Sequence, residues 1–309
     1  MSYFAEKEQL KELYERREES AESYAQYQFE MACRFQKYLK KDGYCLEGLK
    51  VLDIGCGQGG ESCGYMSQNP SILVAVDINS ELLRTAVNFA RRKNTRPLFV
   101  GADVFKLPFQ NASFDVIFSN GMIEHLPGID GLFPSLYRIL RPGGLVRLSF
   151  AAWWGPFAGH IRDQLPYPYI HLLPRTWVYW LIDHCRLAPH MTPERVKWKY
   201  DACFTYTGWQ VRAMAERQGF EIIGEKYEIP TDPAWSAFRM SIAKILGLRP
   251  YTAGEIWGVL RECLNFTLPF SLLFWILRHL FRISWVFREY APDCYVLQLR
   301  RPKERIQYS

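Results

Sequence analysis

The chain has 309 residues, 49% of them apolar and 23% charged, with a formal net charge of +6. This composition excludes a disordered or fibrous chain and allows one large domain or a domain with a substantial lid. Basic residues are spread along the sequence apart from a terminal cluster (Arg300, Arg301, Lys303, Arg305), so nucleic acid is not an expected partner. The eight cysteines show no C-x-x-C and no framework spacing, and the N-terminus is charged where a signal peptide needs an apolar run. Both features point to reduced thiols and a cytoplasmic location.

Residues 5–41 predict one or two helices, with apolar or aromatic positions from Leu10 to Leu39 that include Tyr24 and Tyr27. Val51 to Ile54 then read as a short buried strand, interrupted by Asp53 and running into Gly55, Gly57, Gly59 and Gly60. A helix follows over about Glu61 to Gln68. Glycines let the main chain adopt positive φ and approach a ligand, and the helix N-terminus turns its unpaired N–H groups toward it. The stretch is therefore a cofactor site, and two cofactors compete. Gly55, Gly57 and Gly60 satisfy the dinucleotide pattern, with Asp77 at the distance of a ribose acid. Asp53, however, would repel a pyrophosphate and attract a ligand carrying an ammonium and a sulfonium. The loop has no Arg or Lys to hold phosphates. Charge favours S-adenosylmethionine.

Further segments follow in order. Ile72–Asp77 reads as a second strand with an acid at its tip, and Gly101–Val104 precedes Leu107–Phe109. Ser113–Asn120 reads as a fourth strand, and Leu140–Val146 as the turn into a fifth. With the glycine loop, these segments resemble the class I S-adenosylmethionine-dependent methyltransferases over about residues 48–150. The resemblance implies an α/β, Rossmann-like fold with a seven-stranded sheet whose seventh strand is antiparallel. It also implies site roles. Asp53 would orient the methionine end of the cofactor, Gly55, Gly57 and Gly59 would admit it, Asp77 would hold the ribose, and Ile78 would also line the cofactor. Asp103 would accept from the adenine amine beside the Val104 N–H, and Asn120 would end at the methyl donor. Ligands in such sheets bind outside the carboxyl ends of the strands. Asp115, at the start of its strand, is expected only to cap or pair locally, and Gly143 and Gly144 only to turn the chain.

The resemblance divides the chain into a helical cover over 1–47, a core over 48–229 and 291–301, and two insertions. Residues 151–206 would be an aromatic substrate cap within the core, and 230–290 a helical lid or interface. In the family such an N-terminal helix covers the cofactor; Tyr24 or Tyr27 would touch its methionine end or merely pack. Thr207–Phe220 predicts a helix, Glu221–Tyr227 the sixth strand and Cys294–Leu299 the seventh. Long insertions in a compact domain are usually functional, so the substrate is expected to be chosen there.

Three histidines are candidates for general acid–base work. His125 follows the fourth strand and, by the resemblance, lies near the reacting methyl. His160 and His171 lie in Trp153–His160 and Pro166–His171, an arrangement similar to a bacterial subset associated with glycan or natural-product pathways. A structural role is the alternative for each. Glu124–His125 also resembles the metal-binding stretch of ubiquinone-pathway O-methyltransferases, but Gly121 stands where their first acid should be, so no metal is expected. Residues 266–287 are rich in Trp, Phe and Leu, yet Pro269, Arg278, His279 and Arg282 interrupt them. They suit a membrane interface, a lid over a lipid-like acceptor, or a buried packing helix.

The expected reaction is methyl transfer from S-adenosylmethionine to a hydroxyl of a small metabolite, lipid or glycan intermediate. Transfer to carbon or nitrogen, a nicotinamide oxidoreductase, and a non-catalytic partner- or membrane-binding module are the alternatives. A macromolecular acceptor is disfavoured because Ser119-Asn120-Gly121-Met122 replaces an amine-binding N-P-P-Y tetrapeptide.

Overall fold

The computed structural model describes residues 19–41, 44–153, 158–160, 170–184, 192–204, 206–228 and 294–303. The expected second insertion, with its 266–287 segment, and residues 1–18 lie outside the described residues. Seven strands form one sheet in the order β3-β2-β1-β4-β5-β7-β6. They are β1 (Lys50–Ile54), β2 (Ile72–Asp77), β3 (Leu98–Gly101), β4 (Phe114–Asn120), β5 (Leu140–Phe150), β6 (Glu221–Glu228) and β7 (Cys294–Arg300). The first five run parallel, and β7 is antiparallel to both β5 and β6. The implied fold class is therefore the observed one.

Strands β1, β2 and β4 are apolar on both faces: Val51, Leu52, Val74, Val76, Ile117 and Phe118 are all buried, as expected of parallel strands covered on both sides. The strand order reverses between β1 and β4, which opens a crevice beyond their carboxyl ends. The turn expected over 140–146 is drawn into the fifth strand. Leu140 already pairs with Phe114, and the register jumps so that Val116 faces Leu145.

Helix α1 (Ala21–Lys41) starts at Ser20, whose Oγ accepts from Ser23 N at 3.0 Å. It packs on α2 (Gly60–Tyr65), the short helix after the glycine loop. The two backbones come unusually close. A Cβ on Gly60 would lie 2.2 Å from the Ala25 carbonyl oxygen, and one on Gly64 would lie 2.5 Å from Ala32 Cβ. The third glycine of the dinucleotide pattern thus seats α1. Helix α3 (Ser80–Arg92) follows β2 and is capped by Asn79 Oδ1, which accepts from Glu81 N and Leu82 N. Helix α4 (Leu132–Ile139) leads into β5.

The first insertion builds two short helices, α5 (Arg175–His184) and α6 (Pro193–Asp201). They share a small core of Val178, Ile182 and Val196, separate from the cores on the sheet. Helix α7 (Gly208–Arg217) opens with a reciprocal capping box between Thr207 and Gln210 and returns the chain to β6.

Candidate active site

Beyond β1 the chain turns sharply. Gly55 N and Cys56 N both donate to the Val76 carbonyl, at 2.8 and 3.0 Å. Gly57 sits at φ 51° with open space where a Cβ would be, so this part of the loop presents bare backbone to the crevice. Gly55 and Gly59 also hold positive φ, against Met122 and against Ala86 and Phe99 respectively. Asp77, at the tip of β2, fixes the loop from the side: its Oδ2 accepts from Gly57 N and its Oδ1 from Asn79 N, each at 2.8 Å. Ile78 follows it and is 76% exposed. Asp103 lies beyond β3 and folds its own turn by accepting from Phe105 N at 2.9 Å, beside the buried Val104.

Asp53 lies behind the loop, buried, and accepts a hydrogen bond from Ser62 Oγ. Burial raises its pKa from the ordinary 3.8 to about 8; the neighbouring Glu61 charge adds to the rise and the Ser62 bond opposes it. The Asp53 carboxyl is thus mostly protonated at neutral pH. Asp115 behaves as expected, accepting from Lys50 N at 2.7 Å and pairing with Arg141 at the opposite edge of the sheet.

Asn120 ends β4 at the expected edge, but its side chain is held in a polar cluster. Its amide donates to Glu61 and, at 2.8 Å, to the Tyr65 hydroxyl, and its Oδ1 accepts from Arg147 Nη1 at 3.0 Å. Tyr65 in turn donates to Glu61 at 3.0 Å and stacks on Phe118. Sequence reasoning missed Glu61, Tyr65 and Arg147. The available signal was an arginine set among apolar residues in Leu145-Val146-Arg147-Leu148, where a buried charge needs partners.

The histidines separate into two groups. His171 is buried in the cap, with Nε2 2.8 Å from the Trp153 carbonyl, and burial lowers its pKa. A neutral ring donating at Nε2 to a carbonyl ties the cap together and cannot accept a proton there. His125 and His160 instead come together beyond β4, with ring centroids 5.0 Å apart and planes only 12° apart. His160 holds φ 52°, rare for a residue with a Cβ, so its position is fixed at some cost by its surroundings. Glu124 lies beneath them, 3% exposed. Its Oε1 is 3.8 Å from His160 Nε2 and accepts from Ala151 N at 3.3 Å. Burial raises the Glu124 pKa, opposed by the His125 charge. The cap is fastened here as well: Phe204 N donates to the Glu124 carbonyl at 2.7 Å, and the Tyr206 hydroxyl to the Leu126 carbonyl at 2.9 Å. Among the described residues, His125, His160 and Cys203 also form a group that could hold a metal ion.

A protein-family model described as a methyltransferase domain matches residues 52–148. The sterol 24-C-methyltransferase of Pneumocystis carinii is 32% identical over 114 residues, covering 36% of this chain and 30% of that protein. The malonyl-(acyl-carrier protein) O-methyltransferase of Marinomonas sp. is 33% identical over 152 residues, covering 48% of this chain and 54% of that protein. The chain thus matches only a third to about half of the length of these relatives. In the solved structures, phosphoethanolamine N-methyltransferase 2 of Haemonchus contortus, in complex with S-adenosyl-L-methionine, aligns with a TM-score of 0.54. It is 15% identical and covers 95% of this chain and 60% of that one, a likeness of fold. The match over residues 52–148 identifies a methyltransferase domain, and the strand order, the antiparallel β7 and the solved structure show that the chain has the fold of the class I S-adenosylmethionine-dependent methyltransferases.

Proposed function

We propose that the protein transfers the methyl group of S-adenosylmethionine to a hydroxyl of a small metabolite, lipid or glycan intermediate held under the cap. The observation that carries this reading is the convergence of His125, His160 and Glu124 beyond β4, the sheet edge at which the glycine loop and Asp77 also lie. Methyl transfer is an in-line displacement at carbon. Alignment of acceptor, methyl and sulfur in a water-poor site supplies roughly 7–11 kcal/mol of the barrier. A hydroxyl acceptor also has to lose a proton, and positioned proton transfer contributes about 10²–10⁴-fold. An amine or thiolate has no such need in the transfer step, whereas a carbon acceptor also loses a proton, so a histidine–carboxylate group favours oxygen or carbon over nitrogen and sulfur.

In this reading Asp53 meets the cofactor ammonium, Asp77 and Ile78 the ribose, and Asp103 and Val104 the adenine. Asn120, locked by Arg147 and Tyr65, shapes the floor at the methyl end. His125 and His160 activate the acceptor, and His171 holds the cap. The relatives named above include one that methylates carbon and one that methylates oxygen, so the acceptor atom rests on the site chemistry alone.

The exposed Trp177, Trp180 and Trp198 of α5 and α6 support a lipid-like or amphipathic acceptor, or contact with a membrane surface. Among the described residues no helix is long and apolar enough to cross a membrane.

Incubating the protein with cell extract and isotopically labelled methyl donor, then identifying labelled products by mass spectrometry, tests the reaction and names the acceptor. A methyl ether product is expected. His160→Ala should lower turnover by about 10²-fold or more while leaving S-adenosylhomocysteine affinity within about twofold. Cofactor binding with no labelled product from any extract would instead favour a non-catalytic module. Tight binding of NADH in place of S-adenosylhomocysteine would overturn the cofactor assignment.

A further inference from the structure

We propose that His125, His160 and Cys203 form a binding site for a borderline-soft divalent metal ion, zinc above others, with Glu124 as its charge partner. The three residues come from separate parts of the chain: the turn after β4, the single turn Ala158–His160 in the cap, and the segment after α6. Their ligating atoms nevertheless all lie within 4.8 Å of one another. Tetrahedral zinc, with bonds of about 2.1 Å to nitrogen and 2.3 Å to sulfur, holds its ligands about 3.5 Å apart. Small side-chain rotations therefore close the shell.

Two imidazoles and a thiol suit zinc and exclude magnesium or calcium, which prefer oxygen ligands. His125 is already oriented as a ligand: Nδ1 lies 3.1 Å from the Ala202 carbonyl, and donating there leaves the Nε2 lone pair to bind. The same bond anchors the backbone next to Cys203. Glu124 Oε1, 3.8 Å from His160 Nε2, sits where the carboxylate partner of a ligating histidine belongs. Glu124 Oε2 is buried without a hydrogen-bond partner among the described residues, as for a group that awaits a cation.

Charge agrees with the geometry. One dication, one thiolate and one carboxylate with two neutral imidazoles sum to zero, which suits a partly covered site beside the buried Glu124. A bound dication would take the proton off the Cys203 thiol. The donor set differs from one built on two acids and a histidine, and Gly121 is no obstacle to it.

Three protein ligands leave a fourth position for an acceptor hydroxyl; this use of the ion rests on the transfer reaction proposed above, whereas ion binding does not. A hydroxyl placed there would give its proton to Glu124, with His125 and His160 then serving as ligands in place of bases. The oxygen pair would form the bond to the methyl carbon while the C–S bond breaks, returning its pair to sulfur as a neutral thioether.

The test is metal analysis of the full-length protein after exposure to zinc and exhaustive dialysis, together with the absorption spectrum of the cobalt(II)-loaded protein. About one zinc per chain and an intense thiolate-to-cobalt charge-transfer band are expected. Cys203→Ser should abolish the band, and Glu124→Gln should weaken zinc affinity roughly tenfold or more. Zinc retained equally by a His125→Ala/Cys203→Ser double variant would overturn the proposal. So would a wild-type cobalt spectrum without the thiolate band, a result that needs no variant to fold. S-adenosylhomocysteine binding measured on the same samples reads the donor site separately: where no zinc is taken up, its persistence leaves the methyltransferase reading intact while the metal proposal fails.

Discussion

Asp53 and Asp77 are both acids at the cofactor loop, yet their surroundings give them opposite work. Asp77 is spent on the loop itself, accepting from Gly57 N and Asn79 N. Hydrogen bonds to a charged group contribute about 1.5–3 kcal/mol each. Asp77→Ala should therefore weaken S-adenosylhomocysteine binding by about one to two decades in calorimetry, by loosening the loop as well as by removing a ribose partner. Asp53 is buried and protonated, with its pKa near 8. A carboxyl whose folded pKa is raised above its unfolded value stabilises the fold fully below the unfolded value, near 4, and loses that contribution as pH rises through about 8. Stability of the ligand-free protein should fall over this window, and Asp53→Asn should flatten the fall in thermal melts from pH 5 to 9. The cofactor ammonium favours the charged form. Binding near pH 7 should thus release a proton, seen as a dependence of the calorimetric heat on buffer ionisation enthalpy, and Asp53→Asn should abolish that release.

The elements carry a different set of constraints. Gly60 serves the contact between α1 and α2, where its missing side chain admits the Ala25 carbonyl. Gly60→Val should cost at least about 1–3 kcal/mol through overpacking and lower the melting temperature by about 2–4 °C per kcal/mol. Displacement of α1 should show as faster hydrogen exchange in both helices. How far the elements were legible depended on how local their causes are. The glycine loop, the acids at the tips of β1 and β2 and beyond β3, and the antiparallel β7 can all be read from short patterns, because strand period and tip position fix them within a few residues. The Glu61–Tyr65–Asn120–Arg147 cluster could not be read that way. Its members are distant in sequence and meet only because β4 and β5 pair in the observed register. The extent of β5 was missed for a related reason: a Pro-Gly-Gly segment reads as a turn, but pairing of Leu140 with Phe114 draws it into the strand.

At the scale of the molecule, the cap and the sheet have separate cores. Val178 in the cap is fully buried against Ile182 and Val196, and this cluster is distinct from those that hold the strands. Val178→Asp, which buries a charge without a partner, should melt the cap at a cost of several kcal/mol. S-adenosylhomocysteine affinity and the main melting transition should persist, while turnover with the acceptor is lost; loss of cofactor binding would show that the cores are not independent. The separation also explains why the sequence could set His160 ahead of His171 but not say what His125, His160 and His171 do: their roles depend on the path of the cap, which no local pattern specifies. That path brings His160 to His125 and directs His171 to a backbone carbonyl.

The cap also returns to the core at one small turn, where Ala202 and Phe204 bond His125 and the Glu124 carbonyl. A lid rooted in the residues that meet the acceptor cannot lift away without disturbing them. Acceptor pocket and lid then behave as one linked equilibrium: an acceptor that settles the cap is held more tightly by the settled cap, by the same factor. Such reciprocity would keep water from the methyl group once the acceptor is in place.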